Sequence, residues 1–588
     1  MKPVIDILEE RIAAAMRQVT GQNAPAIVQP AKDAKFGDYQ ANGVMALAKK
    51  LKTNPRKLAE QVVEKLDLSD ICEPPEIAGP GFINLRLKSD YIFRSLLEIS
   101  VDSKNHLGIS KVQKPQRIVV DFSGPNIAKQ MHVGHLRSTI IGDSICRILE
   151  FLGHTVIPQN HIGDWGTQFG MLVVFLQQKI EELDSVEWTP PPLEDMERFY
   201  KQASEKYIND RYFASQARDA VVELHNGNKA FLELWKMIVG QSRIHYQQLY
   251  KQLQIKLNKD DERGESFYKD RLPEVVKELK DKGLAKISDG AVCVFPEGFK
   301  NKDGEPLPVI IQKSDGAYLY ATTDLAAIRY RVNELKADEI IYVTDARQAL
   351  HFDMVFTVAE MAGWAKREML HHVTFGSVLG EDGKPLKTRS GENVKLKDLL
   401  DEAVERAKAV VDQKNSELPE KQKEKIANAV GIGAVKYADY SNNRTSDYVF
   451  SFDKMLAMEG NTAPYMQYAY ARIKSIERKA VSKEVDIETE LAGINELNLT
   501  EPAELDLAKH LLRYGEIIES AAADYHPNFL TAYLYELAQK FSSFYTDCPV
   551  LKAEPDKRPT RLLLCDLTAA TIRHGLTELL GIEVVDEM

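Results

Sequence analysis

At 588 residues the chain is long enough for three to four domains of about 150 residues each. With 44% apolar and 28% charged residues it has the make-up of an ordinary globular protein, and no apolar run is long enough to span a bilayer. The net charge of −11 excludes a generally basic, nucleic-acid-coating surface, but it leaves room for local basic patches that meet phosphates.

The five cysteines, Cys72, Cys146, Cys293, Cys548 and Cys565, are far apart and form no CxxC pair. Neither a zinc knuckle nor a disulfide framework is indicated, and a reduced, cytoplasmic setting is expected.

Residues 1–110 read as a first α+β unit. The opening MKPVIDILEERIAAAMRQV is an amphipathic helix with acidic residues rather than a signal peptide. A polar loop at 30–39 precedes helices at 40–52 and 56–66, the second started by Thr53-Asn54-Pro55. Gly79-Pro-Gly-Phe-Ile-Asn-Leu-Arg-Leu alternates as a strand. Lys49, Lys50, Lys52, Arg56 and Lys57 cluster here; by themselves they are a solvated face.

A parallel-sheet domain is expected over 111–370. Strand-like runs at 117–122, 155–159, 308–312 and 339–344 alternate with helical stretches. The stretch 121–143, DFSGPNIAKQMHVGHLRSTIIGD, organises it. Arg117-Ile-Val-Val reads as a buried parallel strand, Ser-Gly-Pro-Asn as a tight turn, and Met131 to Leu152 as a helix. Such a junction turns backbone N–H groups and the positive end of a helix toward an anion. His132 and His135 share one face of the first turn, and Gly134 between them lets a flat ring approach the backbone. Asn126 and Lys129 crowd the same junction, where open α/β sheets put their ligands. Taken alone, the histidines are equally a packing pair. Metal ligation lacks accompanying Cys, Asp or Glu.

After the second strand, HIGDWGTQFG at 161–170 either lets backbone approach a ligand or makes a tight turn packed by Trp165. The α/β rhythm then breaks, with Pro190-Pro-Pro and a long helical run over 212–257; an inserted subdomain is expected at about 185–300. The sheet resumes at Val309-Ile-Ile-Gln, turns at Ser314-Asp-Gly and re-enters as Tyr318-Leu-Tyr-Ala, with a helix from near Thr323. Asp324 by itself is a helix-start acid favoured by the dipole. A region at 371–455 carries a hairpin turn, Glu381-Asp-Gly-Lys, ahead of Lys387-Thr-Arg-Ser-Gly391. Residues 456–588 are expected to be helical, with helices near 504–523, 529–545 and 560–580. Tyr533, Tyr535, Phe541, Phe544 and Tyr545 are more often core than stacking platforms.

His132-Val-Gly-His135 resembles the His-x-Gly-His signature of class I aminoacyl-tRNA synthetases, and the wider SGPNIAKQMHVGHLRSTIIGD closely resembles its arginyl-tRNA synthetase form. KFGDYQAN and AGPGFINLRL resemble that family's N-terminal addition domain. The resemblance runs over essentially the whole chain, least plainly after Trp188. It implies an α/β fold: a Rossmann-type parallel-sheet catalytic domain with a helical insertion that holds the acceptor end of tRNA. It also implies an N-terminal α+β domain touching the tRNA corner, a stem-contact region at 371–455 and a C-terminal α-helical anticodon-binding bundle. One or two aromatics of the bundle would then meet unpaired bases.

The same resemblance implies an arginine–tRNA ligase that takes arginine, ATP with Mg²⁺ and the tRNA specific for arginine. It acts as a monomer, with no protein-bound zinc and no membrane or DNA partner. His132, His135, Lys129 and Lys387 would be catalytic. Pro125, Asn126, Gly134, His132, His135, Lys387, Arg389 and Ser390 would hold ATP. Asp121, Ser123, Asn126, Tyr320, Asp324 and Gln348 would hold arginine. Tyr320 and Asp324 match a Tyr-x-x-x-Asp pair that meets the guanidinium, a planar permanent cation best held by a carboxylate. Asp121 stands where a related member has Glu, and Gln348 matches a residue near the α-ammonium. The KTRSG loop departs from the usual Lys-Met-Ser-Lys-Ser, since Ser390 replaces the second lysine; Lys129, Lys387 or Arg389 would supply that charge. His351 receives no role. The family also needs tRNA for the first step. The rivals are a class I synthetase for another amino acid and a non-catalytic tRNA-binding relative; the first, if cysteinyl, lacks its zinc-ligand cysteines, and the second would be expected to lose His132 or His135.

Overall fold

A computed structural model describes residues 1–182, 192–388, 393–414, 416–494 and 496–588. They form two compact units. One comprises Val112–Ala457 with Leu579–Glu583, the other Met1–Lys111, Met458–Glu578 and Val584–Met588.

In the Val112–Ala457 unit, β1 (Arg117–Asp121) leads through α1 (Val133–Phe151) to β2 (Thr155–Gln159). Helices α2 (Thr167–Glu182), α3 (Leu193–Asn209), α4 (Arg211–His225) and α5 (Lys229–Gln252) follow. The short α6 (Glu265–Tyr268) and α7 (Leu272–Asp281) precede β3 (Ala285–Ser288), β4 (Ala291–Val294) and β5 (Val309–Gln312). Then come α8 (Tyr320–Asn333), β6 (Glu339–Asp345), α9 (Ala349–Met361) and β7 (Leu370–Phe375). The unit continues through β8 (Val378–Leu379), α10 (Leu396–Lys414), α11 (Glu420–Tyr440) and β9 (Tyr448–Val449).

The main sheet is parallel, in the order β7-β6-β1-β2. Val119 and Val120 in β1 and Ile340 to Val343 in β6 are buried, the continuous apolar runs that a sheet covered on both faces requires. The chain steps from β1 to β2 in one direction and from β6 to β7 in the other. The order therefore reverses between β1 and β6, which opens a crevice beyond their carboxyl ends.

Three expectations change. Val309–Gln312 does not join the parallel sheet; it is the edge of a separate antiparallel sheet, β3-β4-β5. A four-residue apolar run does not report its partner. The fourth parallel strand is instead Leu370–Phe375. Tyr318 keeps only a bridge to Gln312, and α8 already begins at Tyr320. The helical run over 212–257 is two helices, broken where Gly227 takes a φ of +81° and Asn228 accepts from the N–H groups of Ala230 and Phe231.

Met171, Phe175, Phe213 and Ala217 form a small core of their own among α2, α3 and α4. Trp188, Pro190 and Pro191 of the expected insertion lie outside the described residues. Lys436, fully buried in α11, donates to the carbonyls of Leu253 and Gly581 at 2.7 Å each and so holds Leu579–Glu583 in this unit.

The other unit carries an antiparallel sheet of Val28–Pro30, Tyr39–Ala41, Phe82–Leu85 and Glu76–Ala78, in that order. Helices Val4–Thr20 and Pro55–Lys65 pack on it, Gly43–Leu51 packs on Pro55–Lys65, and Ser89–Val101 packs on Pro502–Leu512. Asn54 caps Pro55–Lys65, accepting from Arg56 and Lys57. Helices Ala463–Ser482, Ile487–Ala492, Pro502–Leu512, Tyr514–Asp524, Asn528–Asp547 and Arg558–Arg573 belong to this unit as well. The helix expected over 504–523 is interrupted at Arg513. Tyr39 donates to Glu516 at 2.6 Å, and Lys509 pairs with Asp38 at 2.7 Å. Lys49, Lys50, Lys52, Arg56 and Lys57 are all exposed. Of the C-terminal aromatics, Tyr533, Phe541 and Phe544 are buried, whereas Tyr535 and Tyr545 keep partial exposure. No described helix is long and apolar enough to cross a membrane.

Candidate active site

The crevice is shaped first by backbone. Ser123 and Gly124, just past β1, have φ of 73° and 53°. Ser123 is a costly place for a side chain, and its neighbours hold it there. Its N–H donates to Ser138 Oγ at 2.9 Å, and its Oγ lies 2.9 Å from Thr139 Oγ1 and 2.6 Å from the Tyr250 hydroxyl. Gly124 N–H donates to Asn160 Oδ1 at 3.0 Å. Pro125 is buried, and Asn126 is exposed with a backbone bridge to Gly163. Ala128, also at positive φ, donates to Ser242 Oγ at 2.9 Å.

His132 is the N-cap of α1 and His135 its third residue, and together they make a capping box. His132 Nδ1 accepts from the N–H of Gly134 at 3.0 Å; His135 Nδ1 accepts from the N–H of His132 at 3.2 Å. An Nδ1 that accepts must be bare, so each neutral ring carries its proton on Nε2. The ring centroids are 4.0 Å apart. A Cβ at Gly134 would stand 2.8 Å from Cε1 of His132, so the flat ring that glycine admits is the cap's own.

Burial holds the His135 imidazole down to about 3. Burial, then the charges of Lys129 and Arg347, lowers His132 as well. The result is two neutral Nε2–H donors at the positive end of a helix, flanked by two cations. That combination suits a polyphosphate.

Lys129 is exposed, with its ammonium 4.6 Å above the Tyr200 ring. Lys387, also exposed, pairs with Asn393 at the base of the signature loop. Arg389, Ser390 and Gly391 lie outside the described residues. The returning limb is stitched to the histidine segment: Val133 N–H donates to Val394 O and Leu396 N–H to Met131 O, both at 2.9 Å.

Asp121, expected to face arginine, meets a guanidinium of the chain itself. Its Oδ2 is 2.6 Å from the fully buried Arg331, which also donates to Gln159 Oε1 at 2.9 Å and lies over the Tyr342 ring. Tyr320 is 65% exposed at the start of α8. Asp324, one turn on, sits 2.7 Å from His351 Nε2. Gln348 is exposed at the start of α9.

The HIGDWGTQFG stretch is the tight, packed turn. Asp164 accepts from the Ser266 N–H at 2.9 Å and from its hydroxyl at 2.6 Å, while Trp165 meets Trp235 edge-on. Two residues escaped the sequence reading. Arg331 stands at helical spacing from the buried Ala327 and Ile328, and an arginine on an apolar stripe was its signal. Arg347 lies in the loop after β6, at the reversal of strand order. Among the described residues, no three His, Cys, Asp or Glu side chains gather to hold a metal.

Comparisons with known proteins agree over the whole length. Residues 98–452 match the model for tRNA synthetases class I (R), catalytic domain. Residues 466–588 match the DALR anticodon binding domain, and residues 6–87 the arginyl tRNA synthetase N terminal domain. The arginine–tRNA ligase of a Synechococcus strain is 51% identical, covering 99% of each chain, and that of Chromobacterium violaceum is 50% identical over 99% of each. The crystal structure of arginyl-tRNA synthetase from Plasmodium falciparum superposes with a TM-score of 0.85 at 32% identity, covering 100% of both chains. The Thermus thermophilus arginyl-tRNA synthetase gives 0.79 at 25% identity, again covering both chains fully. The chain belongs to the arginyl-tRNA synthetase family, within class I.

Proposed function

We propose that the β1–α1 junction joins L-arginine to ATP and passes the arginyl group to its tRNA. The observation that carries this reading is the capping box, which leaves the Nε2–H groups of His132 and His135 as neutral donors beside a helix N-terminus. The carboxylate of arginine attacks the α-phosphorus of ATP, and pyrophosphate leaves. Little covalent work falls to the protein, so positioning and charge neutralisation dominate. The two imidazoles donate to phosphate oxygens as negative charge builds, each worth about 3–4 kcal/mol of barrier. Lys129, with Lys387 of the signature hairpin, offsets the charge of the leaving pyrophosphate. Mg²⁺ enters with ATP, with the phosphate oxygens as its ligands. The 2′-hydroxyl of the tRNA's terminal adenosine then attacks the adenylate.

Tyr320 and Asp324 receive the guanidinium, Gln348 the α-ammonium, and Ser123 and Asn126 line the same crevice. Residues 1–110 meet the tRNA corner, 371–455 its stem and 456–588 its anticodon, where the partly exposed Tyr535 and Tyr545 are the stacking candidates. Action as a monomer in the cytoplasm belongs to the same reading; the five cysteines, all buried free thiols, suit a reducing compartment.

Aminoacylation with each amino acid in turn and total tRNA tests the assignment. Only arginine should be esterified, and charging with any other amino acid overturns it. Arginine-dependent ATP–pyrophosphate exchange should appear only when tRNA is added; robust exchange without it removes that coupling.

A further inference from the structure

His351 has no part in the chemistry above, yet it is held as firmly as the residues that do. It lies in the first turn of α9, wedged between the rings of Tyr320 and Phe352, whose centroids are 4.9 and 5.2 Å from its own. Its Nε2 is 2.7 Å from Asp324 Oδ2, and the two side chains are 23% and 17% exposed. Asp324 Oδ1 and the Tyr320 hydroxyl have no hydrogen-bond partner among the described residues. One carboxylate oxygen is thus tethered, while the other and a phenol remain available on the same side of α8.

We propose that His351 is a positioning and specificity residue for the guanidinium of arginine, holding one oxygen of Asp324 so that the other and the Tyr320 hydroxyl meet the substrate. This rests on the reading of Tyr320 and Asp324 as guanidinium contacts. A free aspartate on a helix surface loses rotamer freedom when a ligand arrives; one tethered beforehand has already lost it. The tether also sets the direction of approach. With Oδ2 engaged, the incoming cation meets Oδ1 and a phenolic oxygen displaced from it. A planar fork with several N–H groups can satisfy both, whereas a compact ammonium presents its donors differently.

Steady-state exchange with tRNA present, on His351→Asn, His351→Gln and Asp324→Asn, tests the proposal. The shorter asparagine cannot reach Asp324, whereas the glutamine amide nitrogen stands near Nε2 and restores the donor. His351→Asn should raise the KM for arginine by about 10- to 100-fold, the worth of one hydrogen bond to a charged group. The KM for ATP and the melting temperature should stay near wild type, and His351→Gln should recover most of the loss. If His351→Asn raises both KM values together, or the glutamine variant recovers nothing, His351 is a packing residue and the proposal is overturned. If Asp324→Asn weakens arginine and His351→Asn does not, this inference fails while the guanidinium reading stands. If Asp324→Asn leaves the KM for arginine unchanged, the guanidinium reading itself fails and takes this inference with it.

Discussion

Arg137 Nε and Asp439 Oδ2 stand 3.0 Å apart with each side chain only 1% exposed, an ion pair sealed between α1 and α11. The same guanidinium donates to Ser446 O at 2.9 Å and lies 5.2 Å from the Tyr448 ring. Tyr448 pairs with Val378, on the strand from which the signature hairpin rises. The helix that presents both imidazoles and the base of that hairpin therefore share one buried charge. A buried ion pair adds little stability beyond an apolar replacement, but removing one partner strands the other. Arg137→Met should cost about 3–5 kcal/mol. Adding Asp439→Leu should recover most of it, read as melting temperature. If the double variant regains stability but not arginine-dependent exchange, the pair is kept for alignment; if the single variant melts like wild type, the pair carries no buried charge.

The two signature histidines can be dissected because their nitrogens have separate duties. Nδ1 of each ring serves the helix cap, and the proton sits on Nε2. Asparagine mimics Nδ1 and glutamine mimics Nε2. His132→Asn should keep the cap and fold normally, yet lose about 10²- to 10³-fold in the rate of exchange. His132→Gln, at the N-cap itself, should lose about 1 kcal/mol of stability with the cap and retain more of the rate. The reverse order would mean that the imidazole acts as a cap alone.

Much of this arrangement was legible in the chain. Val119 and Val120, and Ile340 to Val343, are unbroken apolar runs, and such runs announce strands of a covered parallel sheet. Leu370–Phe375 was hidden because His371 and His372 interrupt its run, although it is the fourth parallel strand. Val309–Gln312 was visible as a strand, but nothing local states which sheet a strand joins. At the site, a spacing of three put His132 and His135 together, and the structure has their rings 4.0 Å apart. Their tautomers, the hold of Arg331 on Asp121 and that of His351 on Asp324 were not legible. The last two pairs are separated by 210 and 27 residues, and a local pattern carries no record of so distant a partner.

Glu265 makes stability depend on pH. Burial, then the charges of Asp164 and Asp324, pushes its carboxyl up to about 7 from the usual 4.5. A raised folded-state value means that the folded protein holds the proton more tightly than the unfolded chain. The stabilisation is fully present below about pH 4.5 and is lost as the pH rises through 7, up to about 3 kcal/mol in all. Glu265→Gln cannot ionise. Its melting temperature should exceed wild type at pH 8 by more than it does at pH 5. An equal difference at both values would show that Glu265 titrates as an ordinary carboxyl.

Two helical glycines should respond to alanine with opposite signs. Gly142, in α1, faces Phe122: an added Cβ would stand 2.2 Å from Cγ and 2.3 Å from Cβ of that ring-bearing residue. Phe122 directly precedes the strained Ser123-Gly124 turn, so the methyl cannot be accommodated without moving the floor of the crevice. Gly142→Ala should destabilise by about 1–3 kcal/mol and slow exchange as well. Gly240, in α5, has nothing within 4 Å of its would-be Cβ and no left-handed φ. There alanine only removes the freedom of the unfolded chain, and Gly240→Ala should stabilise by up to about 1 kcal/mol. Thermal melts of both variants check the pair. A Gly142→Ala protein as stable and active as wild type would mean that the ring of Phe122 can withdraw, and that the close packing of α1 against the turn is not what keeps the crevice in shape.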